Sequence, residues 1–121
     1  MKTKTDPRHL KRIKLMQELF AYDFSHFVKA SRGITEIIPQ QKKIDKLIEK
    51  CAPQWPLKQI NKIDLAILRL SIFELMHKKD VPPKVVVDEA VELGKQYGSE
   101  SSSGFINGVL GKLITEEKIQ V

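Results

Sequence analysis

Apolar residues recur every three or four positions through most of this chain, which is the spacing of amphipathic α-helices. The first stripe follows Asp6-Pro7, an N-cap residue and a proline suited to a first helical turn. It consists of Ile13, Met16, Phe20, Phe24 and Phe27. A second stripe follows Pro39 and consists of Ile44, Leu47, Ile48 and Cys51. The pattern therefore predicts two helices in the first half of the chain, with a break at 31–33.

The segment 61–76 is apolar around nearly its whole circumference, which predicts a buried central helix. Arg69 is an exception on this helix, and an unpaired charge there would be costly to desolvate. We therefore expect Arg69 to form an ion pair or to extend its charged end to the surface. Glu74, near the end of the segment, is expected at the surface. Just before the segment, Trp55 is expected to pin a proline-bracketed turn onto the core.

Two more helices complete the pattern. One begins at Pro82-Pro83 and ends near Gly98, a residue type that commonly follows a helix C-terminus. The other is expected to take its N-cap from Ser99 or from one of the serines at 101–103. Its apolar face consists of Phe105, Ile106, Val109, Leu110, Leu113 and Ile114. Because the alternation typical of strands persists nowhere, the chain is predicted to be a compact all-α bundle.

The last helix contains three glycines, Gly104, Gly108 and Gly111. Each costs about 1 kcal/mol relative to alanine in a helix interior. Either a neighbouring helix packs closely against them, or a ligand approaches the backbone there. Asn107 and Phe105 are candidates for hydrogen bonding to and stacking on RNA bases. The alternative is that Phe105 belongs to the core and Asn107 makes a local helix contact.

Composition and charge indicate a soluble domain with a concentrated basic end. The chain has 121 residues, 41% hydrophobic and 30% charged, which is typical of one soluble domain. It has no apolar run of about 20 residues and no secretory signal. The single Cys51 excludes an internal disulfide and indicates a reducing cytoplasm. Residues 1–14 hold six lysines and arginines against one acid, most of the net charge of +6, which suggests a polyanionic partner or a solubilising tail.

Catalytic patterns are absent from the sequence. The three histidines lie far apart, and Cys51 lies on an apolar helix face, as an inert buried thiol does. The segment ending at Gly111-Lys112 fails the phosphate-loop pattern, because Ile106 replaces its first glycine and Leu113 its Ser/Thr. The acids at 88–92 are interpreted as a solvated face. We therefore predict no enzyme activity, metal or cofactor.

Two long segments resemble the NusB family of bacterial transcription antitermination factors. The runs IDLAILRLSIFEL and VPPKVVVDEAVELGKQYGSESSSGFINGVL are similar to its C-terminal half, and RHLKR…QELF resembles its arginine-rich first helix. The stretch before Ile44 is shorter than in typical members. The resemblance implies one RNA-binding domain over 1–121 with two small helical subdomains. The domain is expected to consist of a basic N-terminal arm at 1–7, N-terminal helices at about 8–52 and a C-terminal helical subdomain at about 57–118.

The family resemblance also implies a function and partners. It implies binding to the boxA element of ribosomal RNA leader transcripts, together with the ribosomal protein NusE and RNA polymerase, in the cytoplasm. The implied RNA-binding residues are Arg8, His9, Lys11, Arg12, Gln17, Phe105, Asn107 and Gly108. The implied NusE-binding residues are Glu74, Leu75 and Asp80. His9 replaces one of the family's arginines, and the chain is expected to be a monomer or a weak homodimer.

Two other functions remain open at this point. NusB-like domains also precede a ribosomal RNA methyltransferase domain, so the chain could be an accessory RNA-binding module. We expect no such enzyme here because 121 residues leave no room for a cofactor-binding sheet. A helical adaptor that self-associates through its glycine-rich face is the other alternative.

Overall fold

The computed structural model describes residues 6–25 and 32–121, and these ranges contain helices and no strand. The elements in chain order are α1 (Pro7–Phe24), α2 (Arg32–Thr35), a 3-10 turn (Ile38–Gln40), α3 (Gln41–Cys51), a second 3-10 turn (Leu57–Gln59), α4 (Lys62–His77), α5 (Pro83–Tyr97) and α6 (Ser102–Glu116). The all-α prediction is confirmed. Phe27, assigned to the first stripe, lies outside the described residues. None of the described helices combines the length and apolarity needed to cross a bilayer.

Helix α4 lies at the centre of the bundle. It contacts α1, α3, α5 and α6, while α5 packs on α6 and α6 packs on α3. Eleven of its sixteen residues are buried, as the sequence pattern predicts. The Asn61 side-chain oxygen caps the helix by accepting hydrogen bonds from the backbone N–H groups of Ile63 and Asp64, at 2.8 and 3.4 Å. Asp6 caps α1 in the same way by accepting a hydrogen bond from Arg8 N at 2.9 Å.

Arg69 joins three helices through ion pairs. Its Nε and Nη2 donate to the two carboxylate oxygens of Asp45 on α3, each at 2.9 Å. Its Nη1 donates to Asp23 on α1 at 3.0 Å. Burial raises the pKa of the Asp23 carboxyl, but hydrogen bonds from Arg69 and Lys62 outweigh it, so the pKa lies below its ordinary value. The expected ion pair of Arg69 is confirmed, and it fixes α1 and α3 on neighbouring sides of α4.

Asp64 is a buried carboxylate in the first turn of α4. It is 5% exposed, and its Oδ1 accepts no hydrogen bond from the described residues. Burial raises the pKa of Asp64 above its ordinary value, although a hydrogen bond with Ser102 opposes the rise. The folded state therefore binds a proton more tightly than the unfolded state, and ionisation of Asp64 lowers stability as the pH rises through its folded pKa.

We expect Asp64→Asn to increase the free energy of unfolding more at about pH 7.5 than at about pH 4, near the unfolded pKa of aspartate. Because the pKa of the folded carboxyl is raised, its ionisation lowers wild-type stability as the pH rises, and the amide removes that loss. Urea unfolding followed by circular dichroism at both pH values measures the difference between the two proteins. A gain of equal size at both pH values, or a loss at the higher one, would contradict this explanation.

The turn after α3 departs from expectation. Trp55 is 47% exposed and does not pin the turn onto the core, so that prediction is wrong. The turn is held by its backbone, since Trp55 N donates to the carbonyl of Ala52 at 3.0 Å. The small Ala52 and the branched Ile60, 3% and 5% exposed, fill the core on either side of the turn. The indole is therefore not needed there for packing.

The α5–α6 junction also differs from the predicted capping. Gly98 has φ −91°, so it is not in the left-handed conformation of a typical glycine C′ residue. A Cβ at this position would lie 2.3 Å from Ser102 Oγ and 2.8 Å from the carbonyl oxygen of Gly94. The side chain of Ser101, at the N-cap position, makes no capping hydrogen bond. Instead Ser102 Oγ accepts a hydrogen bond from Ser99 N at 2.8 Å, which closes the junction tightly over Gly98.

Candidate nucleic-acid interface

Helix α1 divides the predicted basic motif between solvent and core. Arg8, Lys11, Lys14 and Gln17 are exposed. The Arg8 side chain is 84% exposed, and its contact with Asp6, 3.6 Å from Nε to Oδ1, is a surface pair of little energetic value. His9 and Arg12 are instead buried, at 3% and 8% exposure. The outward residues form what we call the α1 cationic face: Arg8, Lys11 and Lys14.

The inward residues of α1 enter a buried ionic cluster. Arg12 donates from Nη2 and Nε to both carboxylate oxygens of Glu74 on α4, at 2.8 and 2.9 Å. Its Nη1 donates to Glu89 Oε1 on α5 at 3.1 Å, and His9 Nδ1 lies 3.3 Å from Glu89 Oε2. The hydrogen bond to Glu74 raises the pKa of the Arg12 guanidinium, against the opposing effect of burial. The cluster therefore fixes α1 against α4 and α5 and orients the α1 cationic face outward.

Two expectations about acids are corrected by this cluster. Glu74 does not reach the surface, because its side chain is 12% exposed and both carboxylate oxygens accept hydrogen bonds from Arg12. Glu89 is not part of a solvated acidic face, because it is 3% exposed. A signal existed in the sequence, since Glu89 lies three residues after Val86 and four before Leu93, on the buried stripe of its helix.

The residues implied as partner-binding do not form one surface. Leu75 is 4% exposed and belongs to the core, whereas Asp80 is exposed in the loop after α4. Asp80 and Glu74 both line a cavity of about 580 Å³ between α1, the 33–37 segment and the end of α4. The same cavity is lined by Phe73 and by Arg8. It combines an apolar wall with a charged rim, which is the character of many protein-binding sites.

The glycines of α6 face open space. Among the described residues, no atom apart from chain neighbours and the helix's own nearby backbone lies within 4 Å of a Cβ placed at Gly104, Gly108 or Gly111. Packing between the described helices therefore gives no reason for these three glycines. Asn107 beside them is exposed, while Phe105 is partly buried and packs against the core.

An open groove of about 510 Å³ runs between α5 and α6. It is lined by Asp88, Val91, Glu92, Lys95, Ser103, Gly104 and Asn107. Its two carboxylates against one lysine disfavour phosphate groups. Carboxylates accept hydrogen bonds from base amino groups, and an asparagine amide both donates and accepts. The groove thus suits base edges, whereas the α1 cationic face suits phosphates.

The described residues contain no cluster of three or more histidine, cysteine or acidic side chains that could hold a metal ion. Cys51 is buried at 7% exposure, and burial raises the pKa of its thiol, which disfavours the reactive thiolate. His77, one of the scattered histidines, stacks on Phe73 with ring centroids 5.0 Å apart. These groups serve packing, as the sequence suggested for Cys51.

The open position of Gly108 gives a direct test of its structural role. We expect Gly108→Ala to stabilise the protein by about 0.5–1 kcal/mol, because alanine favours the helix and its methyl group meets no neighbour. Gly98→Ala, the matched control, should destabilise by about 1–3 kcal/mol because its methyl group overpacks the junction with Ser102. Thermal and urea unfolding measure both. A destabilising Gly108→Ala would show that packing, not an open surface, requires this glycine.

Comparison with known proteins gives the family. The NusB family model matches residues 10–115. The chain belongs to the NusB family. The NusB transcription antitermination protein of Clostridium kluyveri is 41% identical over 105 residues, which cover 87% of this chain and 65% of that protein. The NusB transcription antitermination protein of Pseudothermotoga lettingae is 42% identical over 108 residues, which cover 89% of this chain and 70% of that protein.

A solved structure supports the same assignment. The structure of T. maritima NusB matches with a TM-score of 0.81 and 30% identity, covering 96% of this chain and 94% of that one. The matched segment spans only 65% and 54% of the first two curated NusB relatives, which are longer proteins. The resemblance found in the sequence is therefore confirmed at the level of family and fold.

Proposed function

We propose that this NusB-family chain is a transcription antitermination factor that binds single-stranded boxA-type RNA of ribosomal RNA leader transcripts. It would do so with NusE, in the cytoplasm, within an RNA polymerase complex. The observation that carries the proposal is the α1 cationic face, which the buried Arg12 cluster holds outward. The names of the relatives, transcription antitermination proteins, support the same function. No catalytic step is proposed.

The proposed RNA contacts fall into two kinds. Arg8 and Lys11 neutralise phosphates, a salt-dependent contribution that is blind to sequence. Gln17 on α1 and Asn107 on α6 offer exposed amides for hydrogen bonds to unstacked bases. Gly108 lets the RNA approach the helix backbone. Phe105, packed against the core, contributes at most its exposed edge.

His9 and Arg12 take a supporting role in this proposal. Both are buried against Glu89, so they position α1 rather than contact phosphate directly. The proposed NusE surface is the cavity at the end of α4, with Asp80 at its rim and Phe73 in its wall. Glu74 contributes there by holding Arg12, and Leu75 by packing the core beneath.

Sequence preference tests the proposal. We expect a boxA-type RNA to bind at least about 10-fold more tightly than a scrambled RNA of equal length, because one good base contact is worth about 1–3 kcal/mol. NusE should tighten the binding of the boxA-type RNA further by adding its own RNA surface. Fluorescence anisotropy at fixed salt measures both effects. Equal affinity for the two RNAs, even with NusE present, would overturn the proposed function.

A further inference from the structure

The outer face of α3 carries a second concentration of positive charge. Its exposed charged side chains are one acid, Glu49, and four lysines: Lys42, Lys43, Lys46 and Lys50. The helix's other acid, Asp45, turns inward and binds Arg69 at 2.9 Å, so it does not offset this charge. We infer that these four lysines, the α3 lysine face, bind the phosphate backbone of RNA that flanks the segment held by α1. This inference rests on the proposed RNA-binding function.

The α3 lysine face is not balanced by neighbouring acids. In the part of the chain that the structure describes, Lys42, Lys43 and Lys46 have no carboxylate within ion-pair distance. Lys50 alone has one, with Nζ 3.7 Å from Glu117 Oε2, and its side chain is still 57% exposed. Lysines four residues apart repel each other along a helix, so this arrangement opposes helix stability.

Other exposed helix faces mix the two signs of charge. On α5, the exposed Lys84 and Lys95 alternate with the exposed Asp88. On α6, the exposed Lys112 is followed one turn later by the exposed Glu116. A strong excess of positive charge is therefore not a general feature of this surface. It occurs on α1 and on α3, where four exposed lysines face the single exposed acid Glu49.

The two cationic faces lie apart along the molecule, so only a long polyanion can contact both. Arg69 binds Asp23 near the end of α1 and Asp45 on α3, which places α3 next to the end of α1, about 18 Å along that helix from Lys11. The buried side of α3, with Ile44 and Ile48, faces the core, so its lysines lie on the opposite side. Lysine ammonium groups are point charges without the planar geometry that reads bases. The ligand chemistry they fit is a phosphate backbone, independent of base sequence.

The test removes the lysines that have no acid partner, in the variant Lys42→Gln/Lys43→Gln/Lys46→Gln. The probes are a boxA-type RNA of about 10 nucleotides and the same element within about 30 nucleotides of unstructured RNA. Each phosphate contact on single strands contributes about 0.7 to the salt slope of binding, so the slope for the longer RNA should fall by about 2. Across a fourfold range of salt, this equals about a 16-fold smaller change in affinity. Binding of the short RNA should be unchanged.

A matched control distinguishes the effect of the α3 lysine face from the effect of lowering the total charge of the protein. Lys58→Gln/Lys84→Gln/Lys118→Gln removes the same charge from other exposed positions and should leave the slope for the longer RNA unchanged. An equal loss in this control, or no loss in the α3 variant, overturns the inference. Circular dichroism confirms that both variants are folded.

Two further measurements distinguish a failure of the α3 inference from a failure of the proposed function. If Arg8→Ala/Lys11→Ala weakens binding of both RNAs while the α3 variant has no effect, the proposed function stands and the α3 inference falls. If neither variant affects binding of either RNA, the α1 cationic face is not the RNA surface, and the observation that carries the proposed function falls as well. Vesicles containing phosphatidylserine test the other polyanionic surface. Loss of vesicle binding in the α3 variant, with unchanged RNA binding, would assign the lysines to a membrane and overturn the inference.

Discussion

Replacing Arg12 with alanine is expected to lower the free energy of unfolding by about 3–5 kcal/mol, although the residue belongs to a basic sequence motif. The substitution leaves the carboxylates of Glu74 and Glu89 in a buried site without the guanidinium that binds both. Glu89 is 3% exposed and cannot regain water without movement of α1. Urea unfolding followed by circular dichroism measures the loss.

Arg8→Ala is the matched control, since it removes the same side chain four residues earlier. Arg8 is largely exposed, so its removal should change stability by less than about 0.5 kcal/mol. Adding Glu89→Gln to Arg12→Ala should recover part of the lost stability, because it removes a buried charge that has lost its guanidinium partner. If Arg12→Ala is as stable as Arg8→Ala, the cluster is not what fixes α1.

Much of the helical architecture follows from local sequence rules. The 3.6-residue periodicity and the capping side chains of Asp6 and Asn61 depend on near neighbours in the chain, so the helix starts were predictable. The need of Arg69 for a partner was also predictable from its place in an apolar helix. Its partners, Asp23 and Asp45, were not, because they are brought together only by the packing of α1 and α3 on α4.

The spacing of the residues in the sequence already indicates which members of the basic motif are buried, although their positive charge suggests the surface. His9 and Arg12 precede Met16 by seven and four residues, so helix geometry puts them on the buried stripe. Their charge favoured a surface interpretation that their spacing contradicts. Arg8 lies one turn before Arg12 and is exposed in the first turn of α1, and Lys11 is exposed on a different side of the helix.

The environment of the glycines could not be predicted from sequence. Gly98 lies at the end of one apolar helical pattern, and Gly108 lies in the middle of another. A Cβ at Gly98 would meet Ser102, whereas a Cβ at Gly108 would meet open space. The difference depends on which helix faces meet, and residue type carries no information on that. The prediction that Trp55 pins its turn onto the core was wrong for a related reason, because a large apolar side chain does not by itself specify burial.

We expect the outward cations of α1 to bind RNA and its inward cations to support the fold. The variant Arg8→Ala/Lys11→Ala should fold with nearly unchanged stability, because both side chains are exposed. Loss of two phosphate contacts should reduce the salt slope of RNA binding by about 1.4, equal to about a 7-fold smaller change in affinity across a fourfold range of salt. The control Lys84→Ala/Lys118→Ala removes the same charge elsewhere.

The deciding measurement is anisotropy of a labelled boxA-type RNA titrated with wild type, Arg8→Ala/Lys11→Ala and the control at several salt concentrations. We expect a weaker affinity and a shallower salt slope for Arg8→Ala/Lys11→Ala alone. An unchanged affinity and slope for that variant, with wild type binding the RNA, would show that the RNA surface lies elsewhere on the protein.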